Sequence, residues 1–147
     1  VKEVHIAVGV LAITLNAVAA LFGGWCWFRG QPSRWFWRVL RTGQIMVVVE
    51  VVLGGVLKLT GQKASGLHVL YGVLPLLVAI FAEQLRAATA QMVLDSRGFE
   101  SNEEVGDLPA DEQRSLVTAI LQREIGVMAL SAVVVVVLLA RAAATAG

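Results

Sequence analysis

Two histidines and one glutamate stand inside long apolar runs of this sequence, and any chemistry the chain performs in those runs starts from them. His5 and His68 are the only 2 histidines in 147 residues. Each opens an apolar run, and one intervening run separates them, so the two runs cross a bilayer in the same direction. Both imidazoles are therefore expected at one depth, which is what the two axial positions of a single haem iron require. At about 100° per residue, His5 shares a helix face with Gly9, Ala12, Asn16 and Gly23. His68 shares one with Gly72, Pro75, Ala79 and Ala82. A porphyrin edge must pass close to the backbone beneath its ligand, and Gly9 and Gly72, each four residues beyond a histidine, leave that clearance. The expectation is a b-type haem with His5 and His68 on the iron and Gly9 and Gly72 lining it. The same small residues also serve ordinary helix packing in membranes, and a histidine near an interface can simply bond a lipid headgroup. Both readings stand on the residues alone.

Glu50 is the second signal. An ionisable side chain inside a span is costly and marks a candidate functional position. It shares a face with Gly43, Met46, Gly54, Leu57 and Gly61. Counting about 1.5 Å per residue inward from Lys58 places it roughly 12 Å below the membrane boundary. A carboxyl at that depth is expected neutral unless paired, with Asn16, Tyr71 or a haem propionate as candidate neighbours. A hydrogen bond between helices and a proton-transfer role are both open to it.

The elements that must hold these groups are four membrane-spanning helices. Of all residues, 57% are hydrophobic and 16% charged, against about 45–50% and 25% in soluble domains. The excess falls into four separate runs. Spanning the hydrocarbon takes roughly 20 residues, and lipid forces each backbone group to pair within its own segment. The expected spans are residues 5–28, 39–59, 66–86 and 120–141 of one all-α bundle. Ala17-Val18-Ala19-Ala20 resembles a signal-peptidase site, but Lys2 is cancelled by Glu3, so the first run is read as a helix. A net charge of +1 with no basic stripe beyond the membrane flanks argues against nucleic-acid binding. The single Cys26 excludes an internal disulfide and a cysteine metal cluster.

Orientation follows from the 12 basic residues. Arg29, Arg34, Arg38, Arg41, Arg86, Arg97, Arg114 and Arg123 fall on one side; Lys2, Lys58, Lys63 and Arg141 fall on the other. The heavier side is expected in the cytoplasm, with both termini outside a plasma (inner) membrane crossed four times. Trp25, Trp27, Trp35 and Trp37 then form an aromatic belt at the cytoplasmic interface. Residues 87–119 are the one sizeable connection, cytoplasmic and acidic. The third helix is expected to continue towards Asp95, with a turn at Arg97-Gly98. Pro109 opens the last helix, and Asp111 and Glu112 suit its positive end. The acidic loop reads as a solvated face or a docking surface for a basic partner.

From Glu50 to Gly72 the chain reads Glu50-Val51-Val52-Leu53-Gly54-Gly55-Val56-Leu57-Lys58-Leu59-Thr60-Gly61, then a short loop and Leu67-His68-Val69-Leu70-Tyr71-Gly72. This pattern resembles the haem A synthase family. Those proteins consist of two four-helix halves, each holding a haem between two histidines. In each half an outward-ending helix carries a Gln-x-x-Leu-Gly-Gly-like segment and precedes a helix that opens with a ligand histidine. The first span, with His5 at its outer end and an arginine-rich loop after it, resembles the helix with the partner ligand. The resemblance covers about residues 5–85 and one half of such a protein, with Glu50 in place of a frequent Gln. It implies one haem between one histidine pair. The expected role is electron transfer or haem handling beside a respiratory complex, not catalysis by the chain itself. The alternatives are a cofactor-free structural or assembly subunit bound to another membrane protein, and a proton or solute pathway centred on Glu50.

Overall fold

The computed structural model describes residues 1–100 and 102–146; Ser101 and Gly147 lie outside that description. The described chain is all-helical: α1 (Lys2–Arg29), α2 (Arg34–Leu59), α3 (Gly66–Ser96), the short α4 (Asn102–Gly106) and α5 (Ala110–Ala144). Helices α1, α2, α3 and α5 are long and apolar enough to cross a membrane. Their ends follow from local chemistry. Gly30 closes α1 in the left-handed region at φ 63°, where a Cβ would be strained. The Ser33 hydroxyl accepts from the Trp35 N–H at 3.3 Å and starts α2 at Arg34, five residues before the apolar run begins. Ser65 accepts from the His68 N–H at 3.1 Å, so the cap that starts α3 also fixes the backbone of His68.

On α1 and α2, and for most of the buried residues of α5, burial repeats at alternating steps of four and three. On α1 the seam is Ala12, Asn16, Ala19, Gly23 and Cys26; on α2 it is Phe36, Leu40, Gly43 and Val47. On α5 it is Ile125, Met128, Ala132, Val135, Leu139 and Ala142, and α3 buries Pro75, Ala82 and Thr89 at steps of seven. This is the spacing of left-handed bundles, in which one stripe keeps facing the partner helices. Continued by the same steps, the stripes reach His5 on α1, Glu50 on α2 and His68 on α3. The three polar candidates are thus members of the packing seam.

Helix α5 packs closely on both α1 and α3, and α1 packs on α2, while the α2–α3 side is the loosest. Around the bundle the order is α1, α2, α3, α5, which puts α1 and α3 diagonally opposite. The start of α1, the end of α2, the start of α3 and the end of α5 share one end, the histidine end. The opposite end carries the tryptophans and most arginines. Past it, α3 and α5 run on as an antiparallel pair, and Val93, Leu94 and Leu116 form a small separate core against Phe99, Val105 and Ile120. The acidic connection folds over that core with α4. Pro109 is the N-cap of α5, one position ahead of the first helical residue.

Candidate functional site

At the histidine end the side chains of His5 and His68 meet across the bundle diagonal. Their ring centroids are 6.1 Å apart and their planes stand at 81°. Equal depth, expected from run direction, is what brings them together.

The two rings differ at Nδ1. The Nδ1 of His68 lies 2.8 Å from the carbonyl oxygen of Ala142 on α5. A carbonyl can only accept, so this nitrogen carries the proton and donates. In the neutral ring Nε2 then keeps its lone pair. The neighbouring Ser65 hydroxyl donates to the Thr145 carbonyl at 2.9 Å, so the start of α3 is tied twice to the end of α5. The Nδ1 of His5 lies 3.2 Å from Oε2 of Glu50 on α2. The two side chains are largely buried, at 16% and 13% exposure. The N–H direction does not line up on the oxygen, so neither atom completes a hydrogen bond. Glu50 therefore sits beside His5, while Asn16 and Tyr71, the neighbours expected for it within the chain, are engaged elsewhere. Asn16 donates to the Ala12 carbonyl at 2.8 Å and packs on Gly43. Tyr71 lies under the Arg141 guanidinium, 5.7 Å from its ring centre.

The two glycines differ. A Cβ on Gly9 would stand 2.8 Å from Oε1 of Glu50, so the clearance at Gly9 is taken by that carboxyl. A Cβ on Gly72 would meet nothing within 4 Å. Gly54 faces the His5 ring, with Cε1 3.4 Å from an added Cβ. Among the described residues no group of three or more His, Cys, Asp or Glu converges as metal ligands.

A second polar cluster, at the tryptophan–arginine end, is one that the sequence reading treated only as span edges. Glu83 of α3 accepts from Arg41 of α2, which also approaches its other oxygen at 3.3 Å. It accepts further from Arg86 at 3.0 Å and from Gln44 at 3.2 Å. Arg86 reaches on to Glu124 of α5 at 3.6 Å. The guanidinium groups of Arg41 and Arg86 both lie over the Trp37 ring, 5.8 and 5.7 Å from its centre. The signal available in sequence was Glu83-x-x-Arg86, an i,i+3 pair of opposite charge, together with Glu124 at the edge of the last apolar run. This cluster joins three helices with its charges matched; at the histidine end only Nδ1 of His68 completes a hydrogen bond among the described residues, and the other three ring nitrogens are uncommitted. No protein-family model, no curated protein and no solved structure matches the chain.

Proposed function

We propose that this chain is a small four-span membrane protein that binds one b-type haem between His5 and His68 and serves electron transfer or haem handling. The observation that carries the reading is the diagonal pair itself: two imidazoles 6.1 Å apart, with Nδ1 of His68 donating to the Ala142 carbonyl and Nδ1 of His5 standing 3.2 Å from the Glu50 carboxyl without a completed bond. With metal–nitrogen bonds of about 2 Å and ring radii of about 1 Å, opposed imidazoles place their centroids roughly 6 Å apart. Two donors cannot complete the tetrahedral shell of a bare zinc ion. They would suffice to hold the iron of a bound haem. Open space beside Gly72 and the loose α2–α3 side favour a flat group entering there.

A haem in this place supplies reversible one-electron chemistry at its iron. The chain's own residues set the terms of that chemistry. Ala142 fixes the tautomer and rotation of His68, the partner arrangement usual behind metal-bound histidines, and Glu50 stands beside Nδ1 of His5 at 3.2 Å. Ser65 holds the backbone of His68, and Gly9 leaves room for the Glu50 carboxyl. The basic residues support an orientation with the tryptophan–arginine end in the cytoplasm. That puts the histidine end, and both termini, on the outer side of the plasma membrane. The limited resemblance to one half of a haem A synthase agrees with a haem role for this pair.

Absorption spectroscopy of protein made with ample haem and purified in mild detergent tests the reading. The expected spectrum is six-coordinate and low-spin. His68→Ala and His5→Ala should each abolish it, leaving a five-coordinate or empty protein. A colourless wild-type protein overturns the proposal and leaves a structural or assembly subunit in its place.

A further inference from the structure

The face of α5 that lies between α1 and α3 carries a groove at the tryptophan–arginine half of the bundle, with a volume of about 680 Å³. Ala20 and Gly24 of α1, Ala88 of α3 and Ala129 of α5 keep it open, while the Trp27 indole packs over Gly126, 2.9 Å from where a Cβ would stand. A Cβ built on Gly24 meets nothing within 4 Å, so this wall borders free space. From Arg123 to Val133 the groove follows α5 for roughly 15 Å, about half the thickness of a hydrocarbon core. Its volume is within the range of about 300–1,000 Å³ typical of small-molecule sites.

The mouth of the groove differs chemically from its floor. Arg123 lines it there, exposed, and makes no ion pair or hydrogen bond with the other described residues. The two acids in the neighbouring cluster are already engaged, Glu83 by Arg41 and Arg86, and Glu124 by Arg86. Trp27 lines the same groove with its indole against Gly126, and the side chain of Gln122 donates to the Trp27 carbonyl at 3.1 Å. A free guanidinium among tryptophans marks the headgroup level of a bilayer. An apolar trough runs from that level towards the membrane centre. A guanidinium pairs bidentately with phosphate. A second copy of this chain would bring no unpaired acid from Glu83 or Glu124 to meet Arg123.

We infer that this groove is a binding site for an anionic phospholipid, with one acyl chain along α5 and the phosphate on Arg123. The inference is independent of haem at the opposite end.

Native mass spectrometry of the detergent-purified full chain, titrated separately with phosphatidylglycerol and phosphatidylcholine, tests it. Wild-type protein should retain one lipid and favour phosphatidylglycerol roughly fivefold, the preference one basic residue gives at a membrane surface. Arg123→Gln should abolish the preference. Gly24→Leu, which extends a side chain into the groove without meeting the protein, should lower retention of both lipids while circular dichroism stays unchanged. Equal retention of the two lipids by wild-type protein, or a preference that survives Arg123→Gln, overturns the inference. So does a dimer whose cross-links run through Gly24→Cys and exclude lipid, since a second copy then covers the groove. If Gly24→Leu fails to fold, the Arg123→Gln comparison still decides.

Discussion

The two ends of the bundle hold acids in similar positions and treat them differently. Glu83 sits between helices α2 and α3 and receives donors from Arg41, Arg86 and Gln44. Glu50 sits between α2 and α1, less exposed than Glu83 (13% against 29%), with only the imidazole of His5 in reach and no completed bond at Oε2. A charged group with matched donors holds helices together. A buried group left without them lowers stability, and such groups gather where function demands them. The contrast identifies the arginine end as the joint of the fold and the histidine end as its candidate site.

The largest effect should come from dismantling the joint. Glu83→Ala leaves Arg41 and Arg86 together over Trp37, Arg41 without a counter-charge and Arg86 with only Glu124 at 3.6 Å. A hydrogen bond to a charged group contributes about 1.5–3 kcal/mol. Glu83 takes several but is 29% exposed, so the loss should be about 3 kcal/mol after allowance for solvent screening. Reversible unfolding in mixed micelles measures it, and on the proposed reading haem retention at moderate temperature should be unchanged. A loss below 1 kcal/mol, read against the ~0.2–1 kcal/mol of exposed pairs, would show that the two ends do not differ in the proposed way.

Much of this architecture is legible in the sequence, for physical reasons that also mark where legibility ends. Four apolar runs can only be helices in lipid, and Ser33 and Ser65 are capping residues by type. The common depth of His5 and His68 follows from counting crossings. What cannot be counted is rotation. These helices are apolar nearly all round, so hydrophobicity does not say which stripe faces inward. Only the small residues at Ala12, Ala19, Gly23 and Gly43 mark the close contacts. That is why Glu50 could be placed in depth but was not matched to His5, and why Gly9 read as clearance for a cofactor when its space holds a carboxyl. The Arg41–Glu83–Arg86–Glu124 cluster was missed because its members lie on three helices, at separations only the bundle closes. The groove likewise exists only once α5 is seated between α1 and α3.

A smaller effect is expected at Glu50. Because Oε2 completes no hydrogen bond, Glu50→Gln should change stability by no more than about 0.6 kcal/mol, the average for polar contacts between membrane helices. Glu50→Leu should be neutral or mildly stabilising, since an apolar isostere removes a desolvated acid. On the proposed haem-binding reading the change should appear instead as a shifted reduction potential with the six-coordinate spectrum retained. If Glu50→Gln destabilises the protein as much as Glu83→Ala does, both acids are structural joints and the distinction between the ends collapses. Equal silence in stability and potential would reduce Glu50 to a bystander.

The smallest effect in stability, and the sharpest for the site, should come from Gly9→Ala. The added methyl would meet Oε1 of Glu50 at 2.8 Å, the far end of a flexible side chain that can swing away. At Gly23, on the same helix, the same methyl would meet the Phe36 ring and the Cβ of Ala129 at 2.8 Å, both packed in the core. Alanine is favoured over glycine inside a helix by about 1 kcal/mol, so Gly9→Ala should leave stability unchanged or slightly raised. It should nonetheless push the carboxyl off His5 and shift the haem potential in the direction of Glu50→Gln. In a Glu50→Ala background the same change has nothing to displace and should be silent, a non-additivity expected only between groups in contact. A wild-type potential in Gly9→Ala, beside a shifted one in Glu50→Gln, would mean that Glu50 does not act on the haem through its position against His5.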